Sequence, residues 1–452
     1  MNAAGARGSR GVTIVGGGLA GCEAALQCAR LGVAVTLYEM RPERPTAAHL
    51  TGQLAELVCS NSFKSLDVEN AHGLLKAELD ALDCHLLELA RAARIPAGSA
   101  LGVDRERFAA GVTAAVAAEP LITVIHQEWD APDPAEVTIV ATGPLTSEAL
   151  AGRIEELLGA GNLAFYDAIS PIVTRESLVP DTWWAAARYD KGGPDYLNCP
   201  LDAATYNAFI DGLLGAELYP LKAFEAGLFF EGCLPIEEMA RRGRETLRFG
   251  PLKPVGLPDP RTGREAHAVL QLRKENAEGT MWNLVGCQTR MRYPDQRRVF
   301  GLVPALARAD YLRNGQVHRN SFLQHPTALD RFGRPADGAW PDLFFAGQLT
   351  GVEGYVESIM SGLIAGRNAA RRIAGEEPDL PPRETMIGAL YHYLATADPA
   401  RFQPMNANFG LLPEPAAPAR GKRARRAAQV ARALAANAAW AATQDPALAG
   451  AA

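Results

Sequence analysis

Val12-Thr13-Ile14-Val15-Gly16-Gly17-Gly18-Leu19-Ala20-Gly21 is the stretch that decides the fold. A short β-branched run enters a glycine turn with Gly16, Gly18 and Gly21 at GxGxxG spacing. Cys22 to Leu31 then has helical composition, closed by Gly32. Val33-Ala34-Val35-Thr36-Leu37-Tyr38 reads as a second strand, ending at Glu39. A GxGxxG alone is a weak signal. Set between a strand and a helix, with an acid ending the next strand about 20 residues on, it is the fingerprint of a dinucleotide site. Glycines let the backbone turn tightly and approach a pyrophosphate, which then faces the unpaired N–H groups of a helix N-terminus. Gly16, Gly17, Gly18, Leu19, Ala20 and Gly21 are the expected pyrophosphate loop, and Glu39 the acceptor for ribose hydroxyls.

Two distant stretches extend this unit. Val137-Thr138-Ile139-Val140-Ala141-Thr142-Gly143 is a strand running into an Ala-Thr-Gly turn. Leu343-Phe344-Phe345-Ala346-Gly347 is a strand ending in glycine, leading through Gln348 and Gly354 into a helix with Tyr355, Glu357 and Ser361. The layout resembles that of two-dinucleotide-fold flavoproteins, which implies Thr142, Gly143, Gly347, Gln348, Gly354 and Tyr355 as FAD contacts. Gln348 stands where those proteins usually have an acid, so backbone amides are expected to take more of the ribityl and phosphate contacts. The expected fold is α/β: a Rossmann-like FAD domain in two parts, 1–147 and 300–452, around an inserted α/β domain at 148–299. No second GxGxxG occurs in the insertion, so a nicotinamide reductant would have to visit the flavin directly.

Composition bounds the rest. Of 452 residues, 48% are hydrophobic and 21% charged, enough for a full core and too apolar for a disordered chain. No run of 18 apolar residues predicts a membrane span, and Met1 to Arg10 lacks the apolar region of a secretory leader. A net charge of -6 excludes a globally basic nucleic-acid binder and leaves room for local patches. Residues 241–298 hold 13 Lys or Arg against 6 Asp or Glu, a balance of +7; Arg420, Lys422, Arg423, Arg425, Arg426 and Arg432 form a second cluster without an acid. Such clusters suit RNA phosphates, although a charge run is more often a solvated face.

The seven cysteines are scattered, odd in number and without a CxxC. Free thiols are expected rather than disulfides or a metal site. Cys22, Cys28 and Cys84 lie on apolar helical faces and read as buried, a reading also favoured for Cys199 and Cys287. Cys59, among small polar residues before Lys64, and Cys233, after Gly232 and before Pro235 at a helix start, are the candidates for reactive thiols.

The glycine loop, Tyr38-Glu39-Met40-Arg41-Pro42, Glu56 to Ser62, Tyr196 to Pro200 and Phe230 to Met239 together resemble a known family. So do Phe249 to Leu257, Gln271 to Asn276, Asn283 to Arg290, His318-Arg319-Asn320, Phe345 to Ser358 and Gln403 to Pro413. The chain is similar, along nearly its whole length, to the folate- and FAD-dependent tRNA (uracil-5-)-methyltransferases, the TrmFO family of GidA-like flavoproteins. Departures are small: Ala47, Phe63 and Cys287 stand where proline, leucine and an aromatic are common. The resemblance implies methylation of C5 of uridine 54 in the tRNA T loop. The carbon would come from 5,10-methylenetetrahydrofolate and the electrons from FAD reduced by NAD(P)H. It implies Arg41 as a further cofactor contact, and Cys59 and Cys233 as the two catalytic thiols, with Cys233 adding to uracil C6. The sequence itself does not order the two thiols. His318 is implied as a stacking partner of the pterin, and Arg290 as a contact for the folate glutamate or an RNA phosphate. The expected setting is cytoplasmic, with the tRNA T arm as partner, no membrane and no obligate protein partner. Competing expectations are an FAD-dependent NAD(P)H oxidoreductase without RNA, a non-catalytic tRNA-binding flavoprotein, and the larger wobble-uridine flavoprotein. The last carries a long C-terminal helical domain, for which this chain is too short.

Overall fold

The computed structural model describes residues 11–46, 48–159, 163–190, 193–219, 234–415 and 421–444, with the backbone alone at 163–169, 317–321 and 422. The first unit is built on a five-stranded parallel sheet. Its order is Leu343–Phe345, Val137–Val140, Val12–Val15, Val35–Glu39 and Ile122–His126. Val137–Val140 is buried along its whole length, as a central parallel strand covered on both faces must be. The strand order joins pieces from the beginning, middle and end of the chain, so the FAD-type domain is discontinuous as expected.

The helices Leu19–Arg30 and Tyr355–Ile373 pack against each other on this sheet. Small residues permit the contact: a Cβ on Gly362 would lie 2.1 Å from the Ala20 carbonyl oxygen, and one on Gly366 2.6 Å from that of Ala24. The late helix is thereby fixed against the glycine-loop helix, and its N-terminus meets the same edge of the sheet.

The inserted unit carries a six-stranded antiparallel sheet. Its order is Trp184–Ala185, Tyr196–Leu201, Ala268–Lys274, Met281–Leu284, Ile172–Thr174 and Tyr311–Arg313. Side chains alternate along Ala268–Lys274 as the pleat requires. Leu270 and Leu272 enter a core with Phe209 and Phe300 from the helices Ala203–Leu214 and Tyr293–Phe300, while Val269 packs with Trp184 and Leu257. Leu163–Ile169 and Gln316–Phe322, the entry and exit of this unit, pair antiparallel.

The packing moves the expected boundaries of 148 and 299. Helix Glu148–Leu158 places Leu150 and Ile154 against Val15, Val140, Leu343 and Phe345, so it covers the first sheet. At the other end, Val303, Ala305 and Leu306 lie in the inserted core, and Tyr311–Arg313 is its edge strand. The C-terminal helix Lys422–Gln444 packs through Val430, Ala433 and Trp440 onto the main core, and Trp440 Nε1 donates to Asp379 Oδ2 at 2.8 Å. Its exposed first turns carry Arg423 and Arg425. Among the described residues no helix is long and apolar enough to cross a membrane.

Candidate active site

A cleft opens at the carboxyl ends of the parallel strands, where open α/β sheets bind ligands. Of the residues expected from the sequence, Gly16, Gly18, Leu19, Ala20, Glu39, Arg41, Thr142, Gly143, Gly347, Gln348 and Tyr355 line it. Gly17, Gly21 and Gly354 are not among the lining residues. A Cβ on Gly21 would sit 1.9 Å from the Gly16 carbonyl oxygen, whereas one on Gly18 would have no atom within 4 Å. Gly21 therefore seats the helix on the turn, and Gly18 leaves the space where a phosphate would approach. Helix Leu19–Arg30 begins without a side-chain cap, so its first amides remain available to an anion. These residues fit a dinucleotide such as FAD.

The acid at the end of the second strand is already bonded. Glu39 Oε1 accepts from Arg41 N (2.9 Å) and Nε (3.0 Å), and Oε2 from Gly17 N (2.8 Å) and Arg41 Nη2 (3.2 Å). Burial raises the carboxyl pKa, but the hydrogen bonds and charge of Arg41, with the Gly17 amide, outweigh it and hold Glu39 below the usual carboxylate range. Arg41 also faces Glu56 at 3.5 Å. Ribose hydroxyls would thus meet a carboxylate whose acceptor sites are shared with Arg41. At the late turn, Gln348 Nε2 donates to Glu353 Oε2 at 2.9 Å, so an acid five residues on stands beside the glutamine. The Gly347 amide is taken by Ser361 Oγ at 2.7 Å, which removes it from the amides expected to serve phosphate.

Sequence reading missed part of the wall: Thr46, His49, Glu56, Gln127, Trp129 and Ser147 also line the cleft. His49 is pushed down to about 4, first by burial and then by Arg41, and is neutral at pH 7. Trp129 follows the strand Ile122–His126. Recognising that strand as the edge of the parallel sheet would have found it.

Cys59 sits half-buried beside this cleft, on a loop held from three sides. Tyr355, whose side chain lines the cleft, accepts at its hydroxyl from the Cys59 amide (3.0 Å) and the Ser60 amide (2.9 Å). Arg105 donates to the carbonyls of Leu57 (2.6 Å) and Cys59 (2.9 Å) and pairs with buried Glu275 of the inserted unit at 2.5 Å. Arg273 of the inserted sheet donates to Asn61 Oδ1 (2.8 Å) and Ser60 Oγ (3.2 Å). The thiol loop is therefore a seam between the two units. Arg105 donates directly to the Cys59 carbonyl, and the charge of Lys64 is felt by Glu357, His72 and Lys76.

The remaining expected residues divide. Cys233 lies outside the described residues; the helix expected after it is present as Ile236–Arg241, with Pro235 as its N-cap. His318 lies on strand Gln316–Phe322 opposite Asp167, and its side chain lies outside the description. Arg290 is held within the inserted unit: its guanidinium pairs with Glu238 at 2.5 Å, and its amide donates to buried Glu237 at 2.9 Å. Several cations of the +7 segment are held in ion pairs in the same way, some of them by the outside acids Asp211, Glu217 and Glu238. Arg241 pairs with Glu238, Arg244 with Asp211, Arg248 with Glu245, Arg292 with Glu217 and Arg298 with Asp295. Cys22, Cys28, Cys84, Cys199 and Cys287 are buried, and burial pushes the thiols of Cys28 and Cys199 up to about 12.

A parallel sheet with a glycine-loop helix, a cleft across its carboxyl ends and a second chain segment closing the same cleft is the architecture of an FAD-type dinucleotide-binding protein. Residues 11–377 match the model of the family described as Glucose inhibited division protein A. The fold agrees with that of Aquifex aeolicus GidA, which superposes with a TM-score of 0.68 over 96% of this chain and 74% of that one, at 16% identity. Within this class, the chain is 54% identical over 402 residues to the methylenetetrahydrofolate–tRNA-(uracil-5-)-methyltransferase TrmFO of Natranaerobius thermophilus, covering 89% of this chain and 92% of that protein. It is also 54% identical over 413 residues to the Geobacter sulfurreducens protein of the same name, covering 91% and 93%. The chain belongs to the TrmFO family.

Proposed function

We propose that this chain methylates C5 of uridine 54 in the T loop of tRNA, taking the carbon from 5,10-methylenetetrahydrofolate. FAD would be held in the cleft, with NAD(P)H as the source of electrons. The reading rests on 54% identity to a protein named methylenetetrahydrofolate–tRNA-(uracil-5-)-methyltransferase, extending along 89% of this chain and 92% of the relative. The position of Cys59 at the edge of the cleft supports it.

The chemistry asks for two thiols. Uracil C5 is a poor nucleophile toward carbon. A thiolate adding at C6 converts the ring to an enolate, splitting one hard step into two. A second group must then take the C5 proton. Cys233 is assigned to C6 and Cys59 to the second role. The Gly18 turn and the amides of helix Leu19–Arg30 would bind the FAD pyrophosphate, and Glu39 with Arg41 the ribose. When bound, FAD supplies the reducing equivalents that turn the transferred carbon into a methyl group. Tyr355 and Arg105 hold the Cys59 loop against the cleft, and His318 is assigned to the pterin. The uracil would have to leave its stack, since C5 and C6 are otherwise covered. The enzyme would work in the cytoplasm on the T arm, without an obligate protein partner.

A T-arm RNA carrying 5-fluorouridine at position 54 tests this reading, because the fluorine blocks release after C6 addition. The parent protein is expected to form a covalent RNA adduct that Cys233→Ser abolishes. An adduct that persists in Cys233→Ser would overturn the assignment of the nucleophile, and no adduct in the parent would overturn the reaction class.

A further inference from the structure

Two loops of the inserted unit present exposed aromatic rings that the proposed chemistry does not use. Tyr189 is 56% exposed, Phe249 82% and Val255 42%. Apart from Tyr219, Tyr189 and Phe249 are the only strongly exposed aromatic side chains among the described residues. Hydrogen bonds tie the Tyr189 turn to the segment that follows the short helix Thr246–Phe249. Arg188 donates to the carbonyls of Lys253 (2.9 Å) and Val255, and the Tyr189 amide donates to the Gly256 carbonyl at 2.9 Å. The Tyr189 ring lies so close over Gly256 that a Cβ there would be 2.5 Å from it. Tyr189 itself has φ 57 and ψ 28, a left-handed conformation that bulky residues rarely adopt. Strain of this kind persists where the surroundings over-determine it, and it gathers at functional positions.

Charge and continuity indicate the partner. Thr246 to Gly256 contains Arg248 and Lys253 and no acid, and Lys253 makes no ion pair among the described residues. Arg248 is paired with Glu245 just before this stretch, and Glu265 accepts from the Gly256 amide at 2.7 Å, so Lys253 is the cation of the stretch without an ion pair among the described residues. Arg188 Nη2 also donates to Gln271 Oε1 (3.2 Å), and Gln271 Nε2 donates to Asn198 Oδ1 (2.9 Å). Two residues along the same strand face, Arg273 grips Ser60 and Asn61 beside Cys59. The aromatic loops and the thiol loop thus share one face of the inserted sheet.

We propose that Tyr189 and Phe249 form a stacking platform for unpaired bases of the RNA loop, with Lys253 against its phosphates. Single-stranded loops are bound in this way, by aromatic faces beside cations, because every base has a π-face and the backbone is anionic. The inference rests on the tRNA reading above and extends it to a surface. It also gives a role to Phe249 to Leu257, a stretch that marks the family resemblance and has no part in the flavin cleft.

The test is the affinity of the holoprotein for a labelled T-arm hairpin, followed by anisotropy, in Phe249→Ser, Tyr189→Asn and the double variant. Asparagine tolerates the left-handed backbone, so the ring is lost without added strain. Each single change is expected to weaken binding roughly 10-fold, with flavin content, melting temperature and NAD(P)H-driven flavin reduction unchanged. If the parent binds the hairpin and the double variant binds it equally well, the platform is overturned while the tRNA reading stands. A double variant with parental RNA affinity and an altered mass by light scattering would mark the surface as a contact between copies of the chain. A parent that binds no T-arm RNA would remove the tRNA reading and the platform with it.

Discussion

Replacing Gly18 and Gly21 separately by alanine should divide cofactor binding from folding. Gly18 has φ -81 and ψ -168, an extended conformation open to alanine, and its Cβ would meet no protein atom within 4 Å. The apoprotein should therefore keep its stability or gain about 0.4–1 kcal/mol from a less flexible unfolded chain. The new methyl projects into the space a pyrophosphate must occupy to reach the loop amides. Losing one amide–phosphate hydrogen bond, worth about 1.5–3 kcal/mol for a charged acceptor, weakens FAD roughly 10- to 150-fold. Gly21→Ala is the opposite case. Its Cβ would lie 1.9 Å from the Gly16 oxygen and 3.1 Å from the Gly16 carbon, both main-chain atoms that have no rotamer in which to retreat. Overpacking of that kind costs about 1–3 kcal/mol or more. The assay is the 280/450 nm absorbance ratio of the purified proteins, FAD titration of the apoproteins, and their melting temperatures without FAD. Gly18→Ala should be colourless or pale with an unchanged apo melting point, and Gly21→Ala should melt lower even without FAD. A Gly18→Ala protein that holds flavin as tightly as the parent would refute the placement of the cofactor over this turn.

Other outcomes follow from buried charge and exposure. Arg105→Ala leaves Glu275, whose side chain is 1% exposed, without its partner; denaturant unfolding should show a loss of about 3–5 kcal/mol, partly recovered in Arg105→Ala/Glu275→Gln, and full stability in the single variant would contradict the seam. Burial pushes Glu78 up to about 8 from an ordinary 4.5, with the Met386 and Ile387 amides pulling back. Because the folded state favours its neutral form, the stability it contributes is full below about pH 4.5 and is lost as pH rises toward 8, by up to about 5 kcal/mol. Glu78→Gln should flatten that part of the stability–pH curve, and an unchanged slope would show that Glu78 is not the group responsible. Native protein treated with a disulfide reagent should be modified at Cys59 before Cys22, Cys28, Cys84, Cys199 or Cys287, which are buried; peptide mapping that finds any of those five labelled first would contradict the burial pattern.

The parallel sheet was legible because its signals are local. Val12–Val15, Val35–Glu39, Val137–Val140 and Leu343–Phe345 are apolar runs bounded by glycines or an acid, and each can be read within a dozen residues. The same locality made the cleft residues of the glycine loop and the Ala-Thr-Gly turn readable. What escaped depends on partners far along the chain. Arg105 finds Glu275 and Arg273 finds Asn61 across 170 and 212 positions, and nothing near either residue announces the pairing. The pairing of cations in the +7 segment with Asp211, Glu217 and Glu238 was not legible, because those three acids lie outside residues 241–298. Helix Glu148–Leu158 looked like the start of the insertion because sequence order shows where a helix is and not which sheet it covers.

The most direct measurement is product formation. The purified yellow protein would be incubated with an unmodified tRNA transcript, 5,10-methylenetetrahydrofolate and NADPH, and the digested RNA analysed by mass for 5-methyluridine. The expected result is 5-methyluridine at position 54, absent when folate is omitted and absent in Cys59→Ala. NADPH consumed by the flavin without any 5-methyluridine would contradict the proposed function and leave a simple oxidoreductase in its place.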